Sequence, residues 1–289
     1  MNQTMTYSRT KCSPQNLTAQ RGLTLIELLV TIGVIACLAA LGAGVYNNAL
    51  ESGSRAREFA AGKSLIQAYL SNTTDNDGRL MIGQYEGNSP ELKVEDYPLP
   101  DGSLVDGATL HRYPYRLASY FEHRIDGVVL VNDNKKQVAR QFSGGMKSYG
   151  TSLCPAFGIN YYFAGGYKVD GEFSQEQIAE TAFRLAQVPK PSSMLIFATS
   201  FSPDVAGSRI AGRFGVEPPA YRAVLWDQNL HVDARHAGKA LCAFLDGSLR
   251  LMTVNELRDM RYWSRNAQLA DNPNYRVAAS GSGGGGGRR

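Results

Sequence analysis

Polar residues fill the first 22 positions, and no apolar run breaks them. The character changes at Leu23. From Leu28 to Tyr46 there are 19 residues without a charge, enough for one helix to span a bilayer. After Tyr46-Asn47-Asn48 the pattern turns amphipathic. Leu50, Ala56, Phe59, Ala60, Leu65, Ala68 and Tyr69 recur at steps of three and four, with Arg55, Arg57, Glu58 and Lys63 between them. One helix over 23–72 is predicted, apolar all round in its first half and with one face for packing on a globular domain in its second. The turn formers of Ser71 to Gly78 end it.

Beyond Arg79 the apolar pieces are short. Val128 to Val131 lies between Asp126-Gly127 and Asn132-Asp133-Asn134 and reads as a strand. Phe157 to Tyr162 is aromatic and β-like. Phe173 to Gln187 reads as a surface helix capped by Ser174, with Ile178, Ala179, Ala182, Phe183 and Ala186 as its stripe, stopped by Pro189 and Pro191. Ser193 to Ala198 reads as a buried strand. Ala240 to Leu245 and Ser248 to Thr253 flank Asp246-Gly247, the strongest short-range hairpin signal. The fold class expected is α+β, with the second half of the long helix packed on an antiparallel sheet. Residues 280–289 are nearly all Gly and Ser and read as a flexible tail.

Charge sharpens the organisation. The chain has 30 basic and 26 acidic residues. Arg9, Lys11 and Arg21 precede Leu23, where there is no acid, so the remainder is nearly neutral and gives no argument for nucleic-acid binding. Basic residues before an apolar span hold that end in the cytoplasm and direct the rest outward. Of four cysteines, Cys12 and Cys37 fall before and within the span, leaving Cys154 and Cys242 on the oxidising side as a candidate disulfide, against the alternative of two buried thiols.

The residue that does not fit an ordinary span is Glu27. A carboxylate at membrane depth costs on the order of 3 kcal/mol and marks function by default. Arg21-Gly22-Leu23-Thr24-Leu25-Ile26-Glu27 resembles the leader junction of type IV pilins and type II secretion pseudopilins. The resemblance implies cleavage by a prepilin peptidase between Gly22 and Leu23, N-methylation of Leu23, and a salt bridge from Glu27 to the Leu23 amine of a neighbouring subunit. Leu23 stands where the family commonly has Phe. A second likeness lies near the other end: His236, nine residues, then Asp246-Gly247 resembles the C-terminal motif of a pilin-like group with the same leader. That likeness implies a structural hairpin. Val188 to Ser193 and Cys154-Pro155 with Gly158 to Tyr161 resemble the same group.

Other constellations compete with these readings. His231, Asp233, His236 and Asp246 are residue types that ligate zinc. The alternative is that His236 hydrogen-bonds across the hairpin while Asp246 makes the turn. Asp75 to Gly78 imitates the start of a calcium loop but lacks the later acidic ligand, so a helix-ending turn is expected. Val34 to Cys37 imitates a lipoprotein box, but the apolar core is too long and contains Glu27. No catalytic residue, metal or cofactor is expected.

The resulting organisation is a leader at 1–22, a transmembrane half-helix at 23–46, an amphipathic half at 47–72, an α+β extracytoplasmic domain at 73–279 and the tail. The chain reads as a non-enzymatic fibre subunit, homo-oligomeric or in a mixed pilin fibre, anchored in inner-membrane lipid with its ectodomain periplasmic. Its implied partners are the peptidase and an inner-membrane assembly platform. The alternative is a membrane-tethered binding module that uses the helix only as an anchor.

Overall fold

The computed structural model describes residues 24–205, 208–221, 224–225 and 231–277, with only the backbone described at 42–45, 47–48, 204–205, 208–209, 220–221 and 224–225. Gly22, Leu23, Cys12 and the tail at 280–289 lie outside the described residues. The chain divides into two units, Met1–Glu51 and Ser52–Arg289. Helix α1, Leu25–Asp75, supplies the described part of the first and opens the second. It outruns the predicted end at 72 by three residues. Asp77 and Gly78 then turn the chain in left-handed backbone, at φ 53° and 75°, and the Gly78 amide donates to the Thr73 carbonyl. This is glycine's usual way of closing a helix.

In the first unit the described side chains of α1 are exposed on every side: Leu25 at 79 %, Ile35 at 64 %, Leu41 at 72 %. Among the described residues no helix is long and apolar enough to cross a membrane. The predicted span runs on to residue 46, through side chains that are not described.

The second unit is built on a four-stranded antiparallel sheet. Its strands are β1 Phe157–Ile159, β2 Leu195–Thr199, β3 Lys239–Phe244 and β4 Leu249–Thr253, in the spatial order β4-β3-β2-β1. Strand alternation sorts β3 between two cores. Leu241, Ala243 and the following Leu245 join the cluster that includes Ala61, Leu65, Ile66 and Tyr69 of α1. Ala240, Cys242 and Phe244 join a cluster with Leu257, Met260 and Trp263 from the C-terminal segment. The sheet is thus covered on both faces, by the second half of α1 on one.

Gly62 brings α1 close to the sheet. A Cβ there would lie 3.0 Å from Leu249 Cδ2 and 3.2 Å from Phe157 Cζ. Seven residues on, Tyr69 meets Phe197 edge to face, with ring centroids 5.8 Å apart.

Three local expectations are corrected. Val128 to Val131 is not a strand but a buried turn, in which the Gly127 amide donates to the Leu130 carbonyl. Four consecutive apolar residues satisfy burial without pairing, so their composition could not distinguish the two. The predicted helix over 173–187 is cut to Gln175–Glu180, with Ser174 Oγ accepting from the Gln177 amide as expected. The chain leaves that helix because the Ala182 amide donates to Phe163 and the Ala182 carbonyl accepts from Gly165. Finally, the Cys154–Cys242 bridge is not formed. Both thiols are free and buried, and they belong to the cores on opposite faces of the sheet.

Candidate functional site

Two carboxylates of α1 carry the local chemistry. At the start of the helix, the Thr24 amide and hydroxyl both donate to Glu27 Oε2, at 2.9 and 2.8 Å. The Glu27 amide donates back to Thr24 Oγ1 at 3.3 Å, and the Leu28 amide to the Thr24 carbonyl at 3.1 Å. This is a reciprocal capping box, with Thr24 as cap and Glu27 three residues in. It satisfies donors that the first helical turn leaves open. All three side-chain bonds run through Oε2 or Thr24 Oγ1, which leaves Glu27 Oε1 without a bond among the described residues. Gly33, within the same apolar stretch, has open space where a Cβ would stand.

The second carboxylate, Glu58, is buried, at 2 % exposure. Its Oε2 lies 2.8 Å from His236 Nε2. An ionised carboxylate only accepts, so Nε2 carries the proton of this bond. Glu58 Oε1 accepts from Asn132 Nδ2 at 3.0 Å and faces Arg235 Nη1 at 3.6 Å. Burial pushes the Glu58 carboxyl up, but the His236 bond, the Arg235 charge and the Asn132 amide together hold it below the usual glutamate range. Arg235 also donates from Nη2 to the Ser200 carbonyl at 2.6 Å and pairs through Nε with Asp233 Oδ2 at 3.2 Å. Asn132 stands in left-handed backbone, φ 54°, and accepts at Oδ1 from Arg57 Nε at 2.9 Å. One turn of α1 is therefore fixed to two loops and, through Arg235, to the end of β2.

The sequence placed His236 in the hairpin; the structure places it elsewhere. Its backbone pairs with Lys239 just before β3, and its ring reaches α1 instead of crossing the hairpin. Asp246 and Gly247 do make the β3–β4 turn. Asp246 Oδ1 accepts from the Ser248 amide at 2.9 Å, and Gly247, at φ 81°, donates to Phe244. The loop is the three-residue kind, with glycine in the left-handed position. The Gly247 carbonyl accepts from Lys63 Nζ of α1 at 2.9 Å. The two ends of the His-to-Gly spacing thus fasten the same helix, one at Glu58 and the other at Lys63.

Among the described residues no three His, Cys, Asp or Glu side chains are grouped to hold a metal. Asp246 and His236 belong to different attachments rather than one cluster. Sequence reasoning missed Glu58, Asn132 and Arg235 as a unit. The signal that was present is a lone acid among Arg55, Arg57 and Lys63 on an amphipathic helix, and it does not name a partner. It also missed Arg116, a buried cation that donates to the carbonyls of Ile82 at 2.6 Å and Gly83 at 3.0 Å beneath the Tyr85 ring.

Residues 17–43 match a family model described as the prokaryotic N-terminal methylation motif. The match takes in Gly22, Leu23 and Glu27 and points to the type IV pilin-like family, whose members are processed as prepilins. No curated protein and no solved structure gave a match.

Proposed function

We propose that this chain is a structural, non-catalytic subunit of a type IV pilus-like or type II secretion pseudopilus fibre. A prepilin peptidase cuts between Gly22 and Leu23, and Leu23 is N-methylated. The apolar half of α1 holds the subunit in the inner membrane, with the ectodomain periplasmic. An assembly platform then moves it into a fibre in which that half-helix packs against other copies. No cofactor and no nucleic acid takes part.

The observation that carries this reading is the apolar surface of residues 25–41, exposed on every side, with Glu27 as its one charge and inside the matched motif. A monomer in water would not leave such a surface open; it needs lipid or like helices around it. The capping box refines the role of Glu27. Thr24 keeps its amide after the cut, so the box survives processing, and Oε1 is left for an incoming amine. That amine, with a reference pKa near 8, is cationic at neutral pH, and two such charges offset each other's desolvation only when paired.

Electron microscopy of cells expressing labelled protein tests this reading. Label along fibres is expected, lost in Glu27→Ala while the protein stays in the membrane. A uniform membrane signal without fibres, or unchanged fibres in Glu27→Ala, overturns it.

A further inference from the structure

A cleft of about 480 Å³ lies in the second unit, and none of its lining residues belongs to the Glu58 cluster. Its volume is in the range of small-molecule sites. Leu99, Tyr115, Ile125 and Leu130 give it an apolar floor, while His123, Arg124 and Lys147 give it three basic side chains. We propose that this cleft binds a small organic carboxylate, its ring or aliphatic body on the apolar floor and its charge between Lys147 and the His123-Arg124 corner. This proposal does not depend on the fibre reading.

Three observations support it. The acid in the lining, Asp126, pairs with Lys135 Nζ at 2.8 Å and not with a basic side chain of the cleft. Lys147 has no ion pair among the described residues. Arg124 faces only Glu122, 3.8 Å away, with both side chains more than half exposed, and donates from Nε to the Phe121 carbonyl at 3.3 Å. Such an exposed pair is worth little.

The second observation is a polar atom short of a partner. His123 Nδ1 is buried with no hydrogen bond, which in native structures asks for an explanation. The His123 side chain also lines the cleft, through atoms other than this one. The third is the backbone. Glu122 and His123 are consecutive non-glycine residues in the left-handed region, at φ 56° and 55°, and that conformation turns the corner from which His123 and Arg124 line the cleft. Strain of this kind clusters at ligand-binding segments. Ser148 and Thr151 line the cleft as well, next to Lys147 in the chain.

Calorimetric titration of the full chain in zwitterionic lipid nanodiscs tests the proposal, with benzoate as probe and benzyl alcohol and inorganic phosphate as comparisons. Benzoate is expected to bind saturably at one site. Affinity should fall about tenfold in Lys147→Ala, the scale of losing one charge-assisted hydrogen bond. It should be unchanged in Lys136→Ala, whose exposed lysine pairs with Asp133. The proposal is overturned if benzoate does not saturate, if benzyl alcohol or inorganic phosphate binds as tightly, or if Lys147→Ala leaves binding unchanged.

Discussion

His236 Nε2 lies 2.8 Å from Glu58 Oε2, a bond between side chains 178 residues apart that joins the long helix to the segment entering β3. It is the closest of the contacts that make one turn of α1 part of the globular unit.

Removing one partner should cost more than the bond itself. His236→Ala leaves Glu58 buried with Asn132 and Arg235 only, and an acceptor left short of its partner costs about 1–3 kcal/mol. Urea denaturation should show a loss of that order, and Glu58→Ala a similar one. In a double-mutant cycle the two should couple by more than about 1 kcal/mol. Additive effects would mean the contact contributes nothing.

Acid should release the same attachment. The Glu58 carboxyl is held below its ordinary value in the folded protein. Its stabilising contribution is therefore fully present above the unfolded value of about 4.3 and is lost as pH falls through the lower folded value. The Tm measured from pH 6 down to pH 3 should drop chiefly below about pH 4.3. Glu58→Gln should lose part of that drop.

Gly62 should not tolerate a branched side chain. A Cβ there already presses on Leu249 and Phe157 at 3.0 and 3.2 Å. Gly62→Val should lower stability by about 1–3 kcal/mol through overpacking, despite valine's better helix propensity than glycine. A rise in the urea midpoint would contradict the close contact between α1 and the sheet.

The buried cysteines should be inert. Burial pushes the Cys154 thiol up to about 11 and raises Cys242 further, so little thiolate is present at neutral pH. Iodoacetamide should label neither residue in the folded protein and both after denaturation without a reductant. Labelling that requires a reductant would show a disulfide.

The parts of this molecule that follow a period were legible before the structure. The spacing of Leu65, Ala68 and Tyr69 announced a buried helical face, and Asp246-Gly247 announced the hairpin. The motif at the N-terminus was legible as well, because glycine, a short apolar stretch and one acid must occur in order, and residues 17–43 match the prokaryotic N-terminal methylation motif. The rest depended on contacts distant in sequence. Glu58 looks like any charge on the polar side of an amphipathic helix, and only the approach of Asn132 and His236 makes it buried. His236 has the residue type of a metal ligand or a hairpin bond, and the choice was made by a helix far upstream. Val128 to Val131 and 181–187 failed because burial and local bridging, rather than periodicity, set their backbone.

The most direct measurement is the N-terminal residue of the mature protein, read by mass spectrometry from membranes of a host with a prepilin peptidase. The account predicts a chain that begins at N-methylated Leu23. A chain that begins at Met1, or at a lipid-modified Cys37, would contradict it.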